Sequence, residues 1–279
     1  MDISFHIQRA VEAIKKADAI LITAGAGLGV DSGLPDFRGN QGFWKAYPPI
    51  AKLGIEFQEM ANPDWFDTNP QLAWAFYGHR KNLYKKTEPH RGFQIMLNWA
   101  KQKENGYFIY TSNVDNHFQK AGFDENRVYE VHGSINHFQC VKPCSYHIWD
   151  AYDVDINIDM NEFKAQNPLP KCPKCGDIAR PNVLMFGDWT WVSNRSDDQA
   201  VRYHNWLEEL QEKQARLVII ESGAGTAVPT VRMQSQRIFR ELAADFIRIN
   251  PRDYTVPEGG IPLPMGTLEA LETIEKKLD

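Results

Sequence analysis

The chain has 279 residues, 43% of them hydrophobic and 24% charged, a globular composition that excludes disorder over most of its length, a fibre or an array of small repeats. Thirty-one Lys and Arg against 36 Asp and Glu give a formal charge of -5, too acidic overall to coat nucleic acid or an anionic membrane. No apolar run reaches ~18 residues, and Met1 opens directly on an amphipathic segment, so a cytoplasmic protein without a membrane span is expected.

Ile3, Ile7, Val11 and Ile14 recur at helical spacing up to Lys16, and the fully apolar run from Ala19 to Thr23 then stops at Gly25. This spacing predicts a helix, a buried strand and a glycine loop. A second apolar run, Tyr107 to Thr111, follows a helical stretch from about Gly92 to Lys103, and a third, Val128 to Val131, ends at His132-Gly133. Leu217 to Ile220 and Phe246 to Ile249 are separated by a helical pattern from about Thr230 to Leu242. Strands alternating with helices predict an α/β fold with a parallel sheet covered on both faces.

Ligands of such sheets bind outside the carboxyl ends of the strands. That rule singles out Gly25 to Gly39, Ser112 to Asp115, His132, Ser222 to Thr226 and Asn250. Between the third and fourth strands lies an insertion, about Asn136 to Pro181, poor in apolar periodicity and holding all four cysteines. Cys140-x3-Cys144 and Cys172-x2-Cys175 offer four thiolates on two knuckles, the ligand set of a closed, structural zinc site. Free thiols or a disulfide are the alternative, and a segment so poor in core residues needs a staple.

After the first strand, Gly25-Ala26-Gly27 and the stretch Ser32-Gly33-Leu34-Pro35-Asp36-Phe37-Arg38-Gly39 combine small residues, suited to close approach of phosphates, with a charged pair and an aromatic. Together with Thr111-Ser112-Asn113-Val114-Asp115, Ala121-Gly122, Val131-His132-Gly133, the four cysteines, Arg180 to Gly187 and Ile249-Asn250, the chain from about residue 10 to 270 resembles the sirtuin family of NAD-dependent protein deacylases. The resemblance implies a Rossmann-like doubly wound sheet built from residues 1–135 and 182–279 and binding NAD. It also implies a small zinc-binding subdomain at 136–181, with part of 40–90 as cofactor loop and helical insertion. Gly25, Ala26, Gly27 and Arg38 would surround the NAD diphosphate, Asp36 and Phe37 would belong to a mobile cofactor loop, and Asn113 and Asp115 would line the nicotinamide pocket. Asn250 would meet the adenosine ribose. Capping or turn roles are the other reading of Asn113 and Asp115.

His132 stands between a buried strand and a glycine, and histidine alone titrates near neutrality without perturbation, so it is the expected base. His117 and His79 fall on helical stretches as surface or packing residues. Ser112 replaces the usual sirtuin Gln, Phe118 a usual His, and Ser222-Gly223-Ala224-Gly225-Thr226 the usual Gly-Thr-Ser run, so contacts of Ser112, Ser222 and Gly223 to the cofactor are expected to differ. Tyr77-Gly-His-Arg80 looks like the Tyr-x-x-Arg pair with which some sirtuins hold acidic acyl groups, since a guanidinium beside a phenol is a good carboxylate receptor. An ordinary helix with an exposed Arg stands equally open. The expected reaction is transfer of an acyl group from a protein lysine to the ADP-ribose of NAD, with nicotinamide released; protein ADP-ribosylation or NAD hydrolysis in the same pocket is the alternative.

Overall fold

A strand apolar at every position is stable only where both of its faces are covered. In the computed structural model, which describes residues 2–35 and 40–278 with the side chains of 40–42 left aside, the run after Lys16 becomes β1 (Ala19–Ala24), buried throughout. Before it, α1 (Ile3–Lys16) starts at Asp2, whose Oδ1 accepts the Phe5 N–H at 3.1 Å. Around β1, five further parallel strands, β2 (Tyr107–Thr111), β3 (Val128–Glu130), β9 (Leu217–Ser222), β10 (Asp245–Ile249) and β11 (Ile261–Leu263), complete a six-stranded sheet in the order β11-β10-β9-β1-β2-β3. This is the doubly wound order, in which the chain leaves β1 towards one edge and returns at β9 towards the other.

Helices α1, α7 (Arg91–Lys101) and α11 (Thr267–Leu278) cover one face through Val11, Ile14, Phe93, Met96, Leu271 and their neighbours. The other face is covered by α9 (Asn194–Glu212) and α10 (Thr230–Glu241), with Tyr203, Trp206, Leu210 and Ile238. No helix among the described residues is long and apolar enough to cross a membrane.

A separate core joins two stretches that the sequence leaves apart. It takes in α2 (Asn40–Ala46), α3 (Pro48–Lys52), α4 (Phe57–Met60), α5 (Trp65–Thr68) and α6 (Pro70–Lys86), packed against β4 (Gly133–Cys140), β5 (Ile148–Asp150) and β8 (Ala179–Val183) of an antiparallel sheet in the order β5-β4-β8. A hairpin of β6 (Ile158–Asp159) and β7 (Lys164–Ala165) completes it. Helix α6 is capped by Asn69, whose side chain accepts the Leu72 N–H, and begins with Pro70. It is buried on most of its circumference, from Leu72 to Tyr84, so it forms the axis of this lobe. The insertion between the cysteine pairs is better knitted than its composition implies, because Ile156, Phe163, Ala165 and Leu169 enter this shared core.

Candidate active site

The sheet order reverses between β1 and β9, and their carboxyl ends carry the two glycine loops. The loops are zipped together: the Gly25 N–H donates to the Ser222 carbonyl and the Gly27 N–H to the Gly223 carbonyl, both at 3.0 Å. Gly223 has φ +63°, and a Cβ there would stand 2.1 Å from the Leu28 nitrogen, so no other residue allows this approach. Ser222 is fully buried behind the loop, its Oγ without a hydrogen-bond partner among the described residues.

Next to β1, the end of β2 places Ser112, Asn113 and Asp115. The Ser112 N–H donates to the Ala24 carbonyl at 3.1 Å. The Asn113 Nδ2 donates to the Gly25 carbonyl at 3.0 Å, tying the second strand end to the first loop. The Asp115 Oδ1 accepts the His117 N–H two residues on, in the turn before α8 (His117–Lys120), whose N-cap is Asn116, so the turn role is real. Asp115 nonetheless also lines the cavity described next. After β3, the His132 carbonyl accepts the Leu184 N–H at 3.0 Å. Gly133 follows at φ +76°, where a Cβ would lie 2.0 Å from the Asn182 oxygen; this close backbone approach ties the His132 end of β3 to β8.

These residues converge. Ser112, Asn113, Asp115, His132 and Ala26 line one cavity of ≈ 250 Å³ with Leu184, Met185, Phe186 and Val228, and the Tyr77, Arg80 and Tyr84 face of α6 forms part of its wall. Arg80 is 9% exposed, which corrects the reading of an exposed helix Arg. Its guanidinium donates from Nε and Nη2 to the Tyr84 hydroxyl at 3.1 and 2.9 Å, and lies 5.8 Å from the Tyr77 ring centre. Burial works against the charged guanidinium, but the Tyr84, Tyr47 and Tyr77 phenols favour it, and the balance keeps it cationic. Burial pushes the Tyr77 phenol up, so its proton is retained as a donor. The near partner of Arg80 is therefore Tyr84, four residues on, as well as Tyr77, three residues back.

A second cavity of ≈ 620 Å³ is lined by Ala26, Gly27, Asp31, Gly223, Gly225, Asn250 and Arg252 among others, so Ala26 stands in the walls of both. Asn250 is at this cavity, but much of its amide is already engaged. The Nδ2 donates to the Ala224 carbonyl at 3.0 Å, and the Oδ1 accepts the Arg252 and Asp253 N–H groups at 2.9 and 2.8 Å. Gly25 and Ser222 stand behind the cavity walls, not in them. Asp36, Phe37 and Arg38 lie outside the described residues.

None of the four cysteines lines either cavity; the Sγ atoms of Cys140, Cys144, Cys172 and Cys175 lie within 4.8 Å of one another, with Cys140 3.6 Å from Cys175 and Cys144 3.6 Å from Cys172. The edge of a tetrahedron with ~2.3 Å zinc–sulfur bonds is about 3.8 Å. The donor set therefore fits tetrahedral zinc with no open position, the coordination of a structural site.

Sequence reasoning missed Tyr84 and Asp188. The first had a signal, an Arg and a Tyr at i and i+4 on one helix. Asp188 forms a fully buried bidentate pair with Arg180 at 2.8 and 2.9 Å and also accepts the Met185 N–H, holding the Leu184 to Phe186 wall; it had none.

The sequence model of the Sir2 family matches residues 25–196. The chain belongs to the Sir2 family. It is 30% identical over 236 residues to an NAD-dependent protein deacylase of Aquifex aeolicus, covering 84% of each chain. It is 34% identical over 182 residues to one of Thermococcus kodakarensis, covering 64% of this chain and 63% of the other. Among solved structures, a Sir2 homologue in complex with NAD aligns over 98% of this chain and 95% of its own, with TM-score 0.70 and 23% identity; a likeness at that identity concerns the fold. In this Sir2-family chain the departures have structural counterparts. Phe118 is a core residue, 5.1 Å from Phe93 and 5.2 Å from Phe123 by ring centres, and His117 beside it is buried against Phe93 with neither ring nitrogen partnered among the described residues. His117 is thus a packing residue and not a surface one. His79 holds the Tyr47 hydroxyl at 3.0 Å.

Proposed function

We propose that this protein is an NAD-dependent protein lysine deacylase. The observation that carries the reading is the pair of cavities meeting at Ala26 over the reversal of the sheet. One has the room and the backbone-rich lining for a nucleotide, and the other brings a histidine, an amide and a carboxylate together with apolar side chains. Both relatives compared above bear the name of that activity.

Bound NAD would supply an electrophilic ribose carbon with nicotinamide as its leaving group. Ala26, Gly27 and Gly223 would hold the diphosphate at the glycine loops, with Gly25 and Ser222 shaping the loops from behind. Asn250 organises the loop that closes the adenosine end, through the carbonyl of Ala224 and the N–H groups of Arg252 and Asp253. Arg38, Asp36 and Phe37 are proposed to complete the diphosphate side. Asn113, pinned to the Gly25 carbonyl, and Asp115 would line the inner pocket with Ser112. His132 would take a proton from a ribose hydroxyl of NAD, so that this oxygen can attack the acyl carbon, and would return it afterwards. Leu184, Met185 and Phe186 offer apolar contact to the lysine stem and exclude water.

Arg80 and Tyr77, in the cavity wall, favour an acyl chain ending in a carboxylate, because a desolvated guanidinium gains most from a charged acceptor. The same pocket could in principle serve ADP-ribosylation or NAD hydrolysis, but His132 on the channel side is a group that plain glycosidic cleavage has less need of. Nicotinamide release measured with and without acyl-lysine peptide tests the reading. Release that depends on the peptide supports deacylation; equal release without peptide would replace it by NAD hydrolysis.

A further inference from the structure

We propose that the segment between the two cysteine pairs acts as a positioning clamp on α6 and so sets the acyl preference of the channel. The proposal rests on the acidic-acyl reading above and adds to it the element that holds Arg80 in place.

At 100° per residue, α6 presents Tyr77, Arg80 and Tyr84 on one face and Gly78, Lys81, Asn82 and Lys85 on the next. The first face is the wall of the channel. The second is held by residues 152–156. Asn82 meets the backbone of Ile156 with both ends of its amide: Nδ2 donates to the Ile156 carbonyl at 2.8 Å, and the Ile156 N–H donates to Oδ1 at 3.5 Å. Lys81, 1% exposed, donates to the Tyr152 carbonyl at 2.9 Å and to the Asn136 Oδ1 at 3.3 Å. Lys85 pairs with Asp155 at 3.1 Å on the exposed side. Gly78 provides the notch for this seat, since a Cβ there would lie 2.6 Å from the Ile156 Cγ2. Glycine inside a helix costs about 1 kcal/mol against alanine, so its use here matches a close approach that a side chain would prevent.

The consequence is geometric. A roll of α6 by about 20° moves a group ~6 Å from its axis by about 2 Å, which is more than a charge-assisted hydrogen bond tolerates. An acetyl group, with no carboxylate to place, is insensitive to such a roll. The clamp therefore matters for acidic acyl chains and little for the chemistry at His132. Asn82, Gly78 and Ile156 are positioning residues, acting through Arg80.

The test is a double-mutant cycle on the purified full-length chain with NAD, using succinyl-lysine and acetyl-lysine peptides and separating kcat from KM. Asn82→Ala is expected to raise KM for the succinyl peptide at least about fivefold, the effect of one displaced hydrogen bond, with acetyl kinetics changed less than about twofold. In the Arg80→Met background the same substitution should leave the succinyl-to-acetyl ratio unchanged. Ile156→Ala, which weakens the seat from the other side, should repeat the pattern. If Arg80→Met alone leaves the ratio unchanged, the acidic-acyl reading falls and the clamp's role falls with it. If Arg80→Met alters the ratio but Asn82→Ala and Ile156→Ala lower both substrates in parallel, or act equally with and without Arg80, the acidic-acyl reading stands and the clamp is overturned.

Discussion

Replacing Arg80 by methionine removes a cation from the wall of the channel while keeping an unbranched side chain of similar reach. In the protein Arg80 is 9% exposed, and its guanidinium is oriented by the Tyr84 hydroxyl through Nε and Nη2. Truncating one partner of a buried charge-assisted pair costs about 2–5 kcal/mol, so succinyl-lysine turnover, as kcat/KM, should fall by a factor between about 30 and several thousand. The acetyl group makes no such pair, and the substitution relieves a buried charge of its desolvation, so acetyl-lysine turnover should change by less than about tenfold. Both values can be read from one competition assay, with equal peptides, limiting enzyme and products resolved by mass. The wild-type protein is expected to turn over succinyl peptide at least as efficiently as acetyl peptide. Indifference of the wild type to succinyl peptide, or an equal loss on both substrates in Arg80→Met, would refute the reasoning and leave Arg80 as a fold residue.

His132→Ala should keep NAD affinity near wild type by calorimetry while lowering peptide deacylation at least ~100-fold, because the base acts after the cofactor is seated; near-normal turnover would remove His132 from the mechanism. Elemental analysis should find one zinc per chain, and chelation should lower the melting temperature with hydrogen exchange rising first around 140–147 and 170–178. Residues 148–165 should follow later, because Ile156, Phe163 and Ala165 have a core of their own with α6; a metal-free protein of full stability would contradict the zinc assignment. Burial, and then the Arg195 cation nearby, pull the His137 imidazole down to about 4 from its ordinary 6.5. The unfolded chain therefore takes up a proton across that window that the folded one refuses, so this contribution to stability is full above pH 6.5 and is lost progressively towards pH 4, by on the order of 3 kcal/mol. Denaturant melts across pH 4–7 should show the slope in the wild type and a flatter one in His137→Gln; identical slopes would reject the assignment.

The parallel strands were legible because strands buried on both faces read as apolar runs: β1, β2 and Leu217 to Ile220 of β9 are unbroken ones, and β10 is interrupted only by Arg248, which is buried in a pair with Glu221. Once the strands were placed, their carboxyl ends pointed to Asn113, His132 and Asn250 without any side-chain geometry. Apart from β3, three residues long and read from the run Val128 to Val131, short elements were not legible. β11 is three residues with a central proline, and β6 and β7 are two residues each, lengths at which no periodicity can register. Helix α9 is 19 residues long but buries only a few positions of a strongly polar sequence, so its apolar stripe is thin. In the site, the spacing of Tyr77 and Arg80 was readable, whereas the engagement of Asn250 with its own loop and the buried Arg180–Asp188 pair depend on contacts that close only in three dimensions. The insertion deceived in a specific way: its apolar residues are few, but they meet those of α6 some 80 residues earlier, and one core is built from both.

The central claim is transfer of the acyl group to ADP-ribose, and isotope labelling tests it most directly. The protein should be incubated with NAD and a lysine peptide carrying a ¹³C-labelled acyl group, and the small-molecule products weighed. The account predicts one labelled O-acyl-ADP-ribose for each nicotinamide released and each lysine freed. Label recovered only as free acid, or ADP-ribose accumulating without label while the peptide stays acylated, would contradict it.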